Sequence, residues 1–196
     1  MLVIGLTGNF GTGKTSVSQM LAELGAVVID ADKLGHKLLQ PDTETYREIL
    51  AAFGKSILKP NGKIDRNKLG KLAFADAASL NRLNQIMHPK MHEIAKRKIE
   101  EYLKTDTKIV VLEAALLIEA GWTPLVDQVW ITVAPEAIIV RRLKSGRELN
   151  EDQVLARLST QIPSEEKAKQ ADVVIDTDCS LDELRTRVTE LWHNLL

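Results

Sequence analysis

The chain has 196 residues carrying 26 basic and 27 acidic side chains, a formal net charge of −1. That length suits one α/β domain, or one domain with an insertion, and so even a balance excludes a global charge pull toward nucleic acid or membrane. Cys179 is the only cysteine, which excludes an intramolecular disulfide and argues against cysteine-bound zinc; no apolar run approaches the roughly 20 residues of a membrane helix, and a cytoplasmic location is expected.

Leu2 to Thr7 is a short apolar run that reads as a first strand, because it lacks the basic leader of a signal peptide. Gly8-Asn9-Phe10-Gly11-Thr12-Gly13-Lys14-Thr15 then fits G-x-x-x-x-G-K-[ST] and leads through Ser16 into a helix. The glycines let the backbone bend until successive N–H groups point inward as an anion nest. A helix opening near Gly13 adds its positive end to the same point. In that setting Lys14 reaches terminal phosphates and the Thr15 hydroxyl faces Mg²⁺. Asn9 is compatible with the loop because asparagine tolerates positive φ. The expected ligand is a nucleoside triphosphate.

Val17, Met20, Leu21 and Leu24 recur at helical spacing and Gly25 supplies the stop. Ala26 to Ile29 reads as a second strand that delivers Asp30 and Asp32 to the sheet's carboxyl edge. A phosphoryl-transfer enzyme needs a carboxylate there to orient or deprotonate a hydroxyl. Spacing equally allows Asp32 to cap a helix opening at Lys33, and both readings stand. Asp32-Lys33-Leu34-Gly35 spells D-x-x-G, but no Asn-Lys-x-Asp guanine reader accompanies it. A small kinase is more economical than a GTPase switch.

Leu34 to Leu39 and Thr45 to Phe53 read as helices, and residues 55–103 as mostly helical with a turn at Asn61-Gly62. A break is expected at His88-Pro89, since the residue before proline is disfavoured in a helix. That break would part His88 from His92, and with His36 and His193 elsewhere no zinc set is expected. Strands return in "KIVVLEAALL", "QVWITV" and "DVVID", and Ser180 with Glu183 opens a closing helix as a capping box. Strands alternating with helices predict a mostly parallel sheet covered on both faces, its site at the strands' carboxyl ends. Glu113 ends its apolar run as either a magnesium-side acid or a structural one. Arg142 is either a bidentate partner for transferring phosphate or part of a solvated helix face. Trp122, Trp130 and Trp192 sit in apolar contexts and read as packing.

The ordered set "GLTGNFGTGKTSV", "VVIDADKLGHKL", "GKIDRNKLGKLAF", "LNQIMHPKM", "ALLIEAGW" and "QADVVIDTDCSLDEL" resembles the dephospho-coenzyme A kinase family over essentially the whole chain. The resemblance implies an α/β P-loop fold: a three-layer sandwich around a mostly parallel five-stranded sheet with helices on both faces. It implies one domain, with its core near 1–40 and 105–196, a helical substrate-binding insertion near 41–104 and a lid near 142–170. The implied activity is ATP-dependent phosphorylation of the ribose 3′-hydroxyl of dephospho-coenzyme A, with Mg²⁺, the last step of coenzyme A synthesis. Carried over residue by residue, it implies Asp32, Lys14 and Arg142 as catalytic, with Asp30 in support. It places Gly8 to Ser16 on ATP, Asp32, His88, Leu116 and Leu117 on the acceptor, and Thr15 and Glu113 at the metal.

The chain departs from the family pattern at several places. Asn9-Phe10 replaces the commoner Gly-Ile, and Glu113 to Glu119 lacks a proline at Ala115 and an aromatic at Ile118. The second arginine of Arg-Leu-x-x-Arg falls on Gly146, which leaves Arg147 one position late, and Thr177 replaces an asparagine. Arg157 and Gln161 follow in the same region without an assigned role. The alternatives are another small nucleoside or nucleotide kinase and a non-enzymatic nucleotide-dependent regulator.

Overall fold

The computed structural model describes residues 1–146, 154–155, 158–159 and 161–195. Five strands, β1 (Leu2–Gly8), β2 (Val27–Asp30), β3 (Ile109–Glu113), β4 (Gln128–Val133) and β5 (Val173–Asp176), form one parallel sheet in the order β2-β3-β1-β4-β5. The central strands are continuous β-branched and leucine runs because both their faces are covered. Ile4, Leu6, Val111 and Trp130 join one apolar cluster with Val17, Leu21, Val188 and Trp192. Val3, Val110, Leu112 and Ile131, which alternate with them, are equally buried on the other face. The first set packs against α1 (Lys14–Glu23) and the closing helix α8 (Leu181–His193). That helix opens on the expected capping box between Ser180 and Glu183.

The chain divides into two compact units, a core unit of Met1–Asp30 with Ile99–Leu196 and a helical unit of Ala31–Lys98. The core unit also holds α6 (Glu136–Gly146) and the short α7 (Ser164–Ala168). The helical unit holds α2 (Ala31–Leu38), α3 (Glu44–Phe53), α4 (Arg66–Ala73) and most of α5 (Ala77–Tyr102). Its own apolar cluster is built on Ile49, Ile57, Ile64, Leu69 and Met87. Polar side chains start its helices: Thr43 accepts from the Tyr46 amide, and Asp65 accepts from the amides of Asn67 and Lys68.

Two expectations are corrected here. The helix after the second strand begins at Ala31, so Asp32 lies inside its first turn and does not cap it. An acid there still favours the helix through the dipole. The break at His88-Pro89 is absent, because α5 runs through Pro89 without interruption. A proline inside a helix forfeits one hydrogen bond and strains the preceding turn, a cost of about 3 kcal/mol. Packing around it outweighs that cost: Met87 is buried, Met91 lies against Gly35, and Lys90 pairs with Glu48 at 2.8 Å and Glu44 at 3.6 Å. His88 and His92 therefore lie on one continuous helix, four residues apart.

Candidate active site

The parallel register lines up the strand ends that carry chemistry. Asp30 at the end of β2 pairs with Glu113 at the end of β3, which pairs in turn with Leu6 of β1. Gly8 at the end of β1 stands beside Thr132 of β4. From Gly8 the chain turns through Gly11 (φ 84) and Gly13 (φ 89) into α1, whose N-terminus no side chain caps among the described residues. A Cβ on Gly8 would lie 2.4 Å from the Thr132 hydroxyl and 2.5 Å from its carbonyl oxygen, so only glycine fits. Thr12 fixes the loop from beneath, its hydroxyl 2.8 Å from the Asn9 carbonyl and 2.7 Å from the Thr132 hydroxyl. The Lys14 ammonium donates to the carbonyls of Gly8 (2.8 Å) and Asn9 (3.0 Å), which holds it over the loop. Backbone amides, a helix start and a lysine thus converge on one point, the arrangement that binds phosphate.

At the rim the Thr15 hydroxyl donates to Glu113 Oε1 at 3.0 Å and the Ser18 hydroxyl donates to Oε2 at 2.6 Å. Ser18 was not singled out from the sequence, although it lies one helical turn beyond Thr15. The pairing puts three hard oxygen groups together at the end of β3, suited to a small divalent cation. Among the described residues no three His, Cys, Asp or Glu side chains cluster as a metal site.

Arg142 of α6 does not project as part of a solvated face. Its guanidinium donates from Nη1 to the Thr177 hydroxyl at 3.0 Å and from Nη2 to the Thr177 carbonyl. Thr177, fully buried, also reaches the Thr12 carbonyl at 2.9 Å and the Val133 carbonyl at 3.1 Å. The departure from asparagine at this position thus joins the phosphate loop, β4 and α6. The lone thiol, Cys179, lies two residues further along the same loop and is half-buried.

The other departures also have contacts. Asn9 does not adopt positive φ, since Asp42 is the only non-glycine residue with that conformation among those described. Its amide nitrogen instead donates to the Ile162 carbonyl at 3.2 Å, tying the loop to the segment before α7. Phe10 packs with Ile139, Leu143 and Val154, while its backbone N–H donates to Gln161 Oε1 at 2.8 Å. Gln161 therefore holds one of the loop's own amides, a role that its place in the sequence did not suggest. Arg147 and Arg157 lie outside the described residues.

Lys167 was missed. It sits among charged neighbours on the short α7, yet its side chain is fully buried. The ammonium pairs with Glu119 at 2.7 Å and donates to the Ala115 carbonyl at 3.1 Å, bracing the turn after β3 where the family's proline is missing. In that turn Leu117 is fully buried and packs against Gly5, while Leu116 is half-buried. Contact with the acceptor is expected of both, and Leu116 is the more exposed of the two.

In the helical unit Asp32 is exposed in the first turn of α2, and His88 is half-buried on α5. The guanidinium of Arg66, the first residue of α4, makes a short contact with His36 Nε2.

A family model described as dephospho-CoA kinase matches residues 2–183. The chain is 43% identical over 192 residues to a dephospho-CoA kinase of Geobacter sulfurreducens, covering 98% of both chains. Among solved structures, a Thermus thermophilus protein aligns with a TM-score of 0.82 at 31% identity, covering 100% of this chain and 98% of that one. A dephospho-CoA kinase from Campylobacter jejuni aligns with a TM-score of 0.72 at 27% identity, covering 98% and 96%.

Proposed function

The chain belongs to the dephospho-CoA kinase family, and from that premise we propose how its residues carry out the kinase reaction of coenzyme A synthesis. The substrates are ATP and dephospho-coenzyme A. The ribose 3′-hydroxyl oxygen of the acceptor forms a bond to the γ-phosphorus of ATP as the bond to the β–γ bridging oxygen breaks and ADP leaves. The hydroxyl proton passes to the Asp32 carboxylate and then to solvent.

The observation that supports this reading best is the phosphate loop, where glycine-only geometry and Lys14 converge on one point. Its amides and the start of α1 hold the β- and γ-phosphates, and Lys14 exchanges a loop carbonyl for phosphate oxygen as ATP binds. Arg142, held by Thr177, supplies a fixed guanidinium to the charge that grows on the transferring group. Thr15 and Glu113, with Ser18 behind them, fit Mg²⁺ by the hardness of their oxygens. That ion, when bound, neutralises phosphate charge. Asp30 supports Glu113 from the neighbouring strand.

The test measures ADP release with dephospho-coenzyme A, AMP, CMP and dTMP as acceptors, in the wild type and in Asp32→Asn. The expected result is a preference for dephospho-coenzyme A. The variant should lose about 10²–10⁴-fold in kcat, the usual worth of a positioned base, while its ATP affinity stays within twofold. Preference for a nucleoside monophosphate would assign the chain another acceptor, and an unchanged kcat would remove Asp32 from the mechanism.

A further inference from the structure

A connected path of polar contacts runs from a buried charge in the core unit to the phosphate loop. Its origin is Lys167 of α7, fully buried although lysine is almost never so unless paired. The ammonium meets Glu119 Oε1 at 2.7 Å and the Ala115 carbonyl at 3.1 Å. The Ile162 amide donates to the same Oε1 at 3.4 Å, and the Thr7 hydroxyl donates to the same Ala115 carbonyl, also at 3.4 Å. Gln161 and Ile162 carry the path onward. Gln161 Oε1 accepts from the Phe10 N–H at 2.8 Å, and the Ile162 carbonyl accepts from Asn9 Nδ2 at 3.2 Å. Two successive loop residues are thus clamped by two successive residues before α7, each contact joining a side chain on one strand of chain to backbone on the other.

Stability alone does not demand this pair. A buried ion pair offsets its desolvation only with good geometry, and apolar side chains of similar volume often give an equally stable or more stable fold. What apolar side chains lack is direction. The ammonium carries three donors and no acceptor, and two of its contacts fix the segment 161–167 against the turn that follows Glu113. That turn and the phosphate loop leave neighbouring strands, β3 and β1, and Thr7 of β1 meets the turn at Ala115. One buried charge therefore sets the loop residues Asn9 and Phe10 relative to the strand end whose acid Thr15 and Ser18 hold.

We infer that Lys167 and Glu119 are positioning residues of the nucleotide site, acting through Gln161 and Ile162 on the conformation of the phosphate loop. The inference rests on the nucleotide-binding part of the kinase reading above and extends the site to side chains with no assigned contact to either substrate. Without the pair, Gln161 and Ile162 lose their anchor, and Asn9 and Phe10 sample conformations in which the loop amides no longer converge. Nucleotide must then order the loop as it binds, and its apparent affinity falls by the fraction of molecules in which the loop is already set.

Glu119 Oε2 is buried and has no partner among the described residues, so Lys167→Met alone would strand a carboxylate and lower stability. The experiment therefore uses the double variant Lys167→Met/Glu119→Leu, the variant Gln161→Met, and the triple variant that combines them. Thermal melts report stability, calorimetry reports the affinity for a non-hydrolysable ATP analogue, and the ADP-release assay reports both KM values. The thermal midpoint of the double variant should equal or exceed that of the wild type. Its analogue Kd and its KM for ATP should rise about tenfold or more, while KM for the acceptor stays within about twofold. Gln161→Met should weaken analogue binding as well, and the triple variant should lose no more than the double, because residues on one path do not act additively. An unchanged analogue Kd in the folded double variant, a loss that follows a lowered thermal midpoint, or losses that add in the triple variant would each overturn the inference. A wild type that does not phosphorylate dephospho-coenzyme A, but whose variants shift analogue binding in this way, would fault the kinase reading and keep the positioning role.

Discussion

Thr177 has one hydroxyl proton to donate, toward Thr12 or Val133, and lone pairs that receive Arg142. A single side chain so connects the phosphate loop with the arginine proposed to act on the same phosphate. Gly8 sets the opposite limit, because what it lacks decides its role. Gly8→Ala must push a methyl into backbone and hydroxyl oxygen of Thr132, at a φ of 143 that side chains rarely adopt. The expected outcome is destabilisation by about 1–3 kcal/mol, read as a lower thermal midpoint, together with loss of ATP-analogue binding in a fluorescence titration. Residues of this kind are legible in sequence because a fixed local spacing encodes them, as with Gly8, Lys14 and Thr15. Gln161 and Lys167 are not. Gln161 meets Phe10 across 151 positions and Lys167 meets Ala115 across 52, and no local pattern marks either pairing.

Among the elements, α5 shows a local preference losing to packing. Pro89 is a poor helix residue by itself, yet Met87, Lys90 and Met91 hold the turn around it. Since the cost of proline is borne by the folded helix, Pro89→Ala should stabilise the protein by up to about 3 kcal/mol, measured by chemical denaturation. A destabilised variant would mean that the proline itself is needed for packing. The helix caps give a dependence on pH. Asp65, Asp76 and Glu183 are held below their ordinary pKa values of 3.8, 3.8 and 4.5, chiefly by the Lys68 amide, the Ser79 amide and the Ser180 hydroxyl respectively. The folded chain binds fewer protons at these sites than the unfolded one. Their contribution is therefore complete above the ordinary values and is lost as pH falls through the lowered ones. The thermal midpoint should drop below about pH 4, and Asp65→Asn should make that drop shallower. The capping box at Ser180 was legible because it is a four-residue code, whereas the start of α2 at Ala31 was hidden behind an equally good cap at Asp32.

At the scale of the whole molecule, the alternation of strands and helices was legible because a parallel strand buried on two faces must be written almost entirely in apolar residues. The order β2-β3-β1-β4-β5 was not, since pairing is settled by residues far apart in the chain. The helical unit has its own apolar cluster, separate from that of the sheet. Ligands should accordingly leave different footprints in hydrogen exchange. An ATP analogue should slow exchange over residues 8–16, and dephospho-coenzyme A over the first turn of α2, which carries Asp32. Protection by the acceptor restricted to residues 8–16 would contradict this division.

Cys179, partly open to solvent just past Thr177, offers a practical convenience. Because the chain contains no competing thiol, a maleimide dye attaches at one address without prior mutagenesis. Its emission would follow nucleotide arrival in a stopped-flow instrument, turning an otherwise silent encounter into a recorded trace.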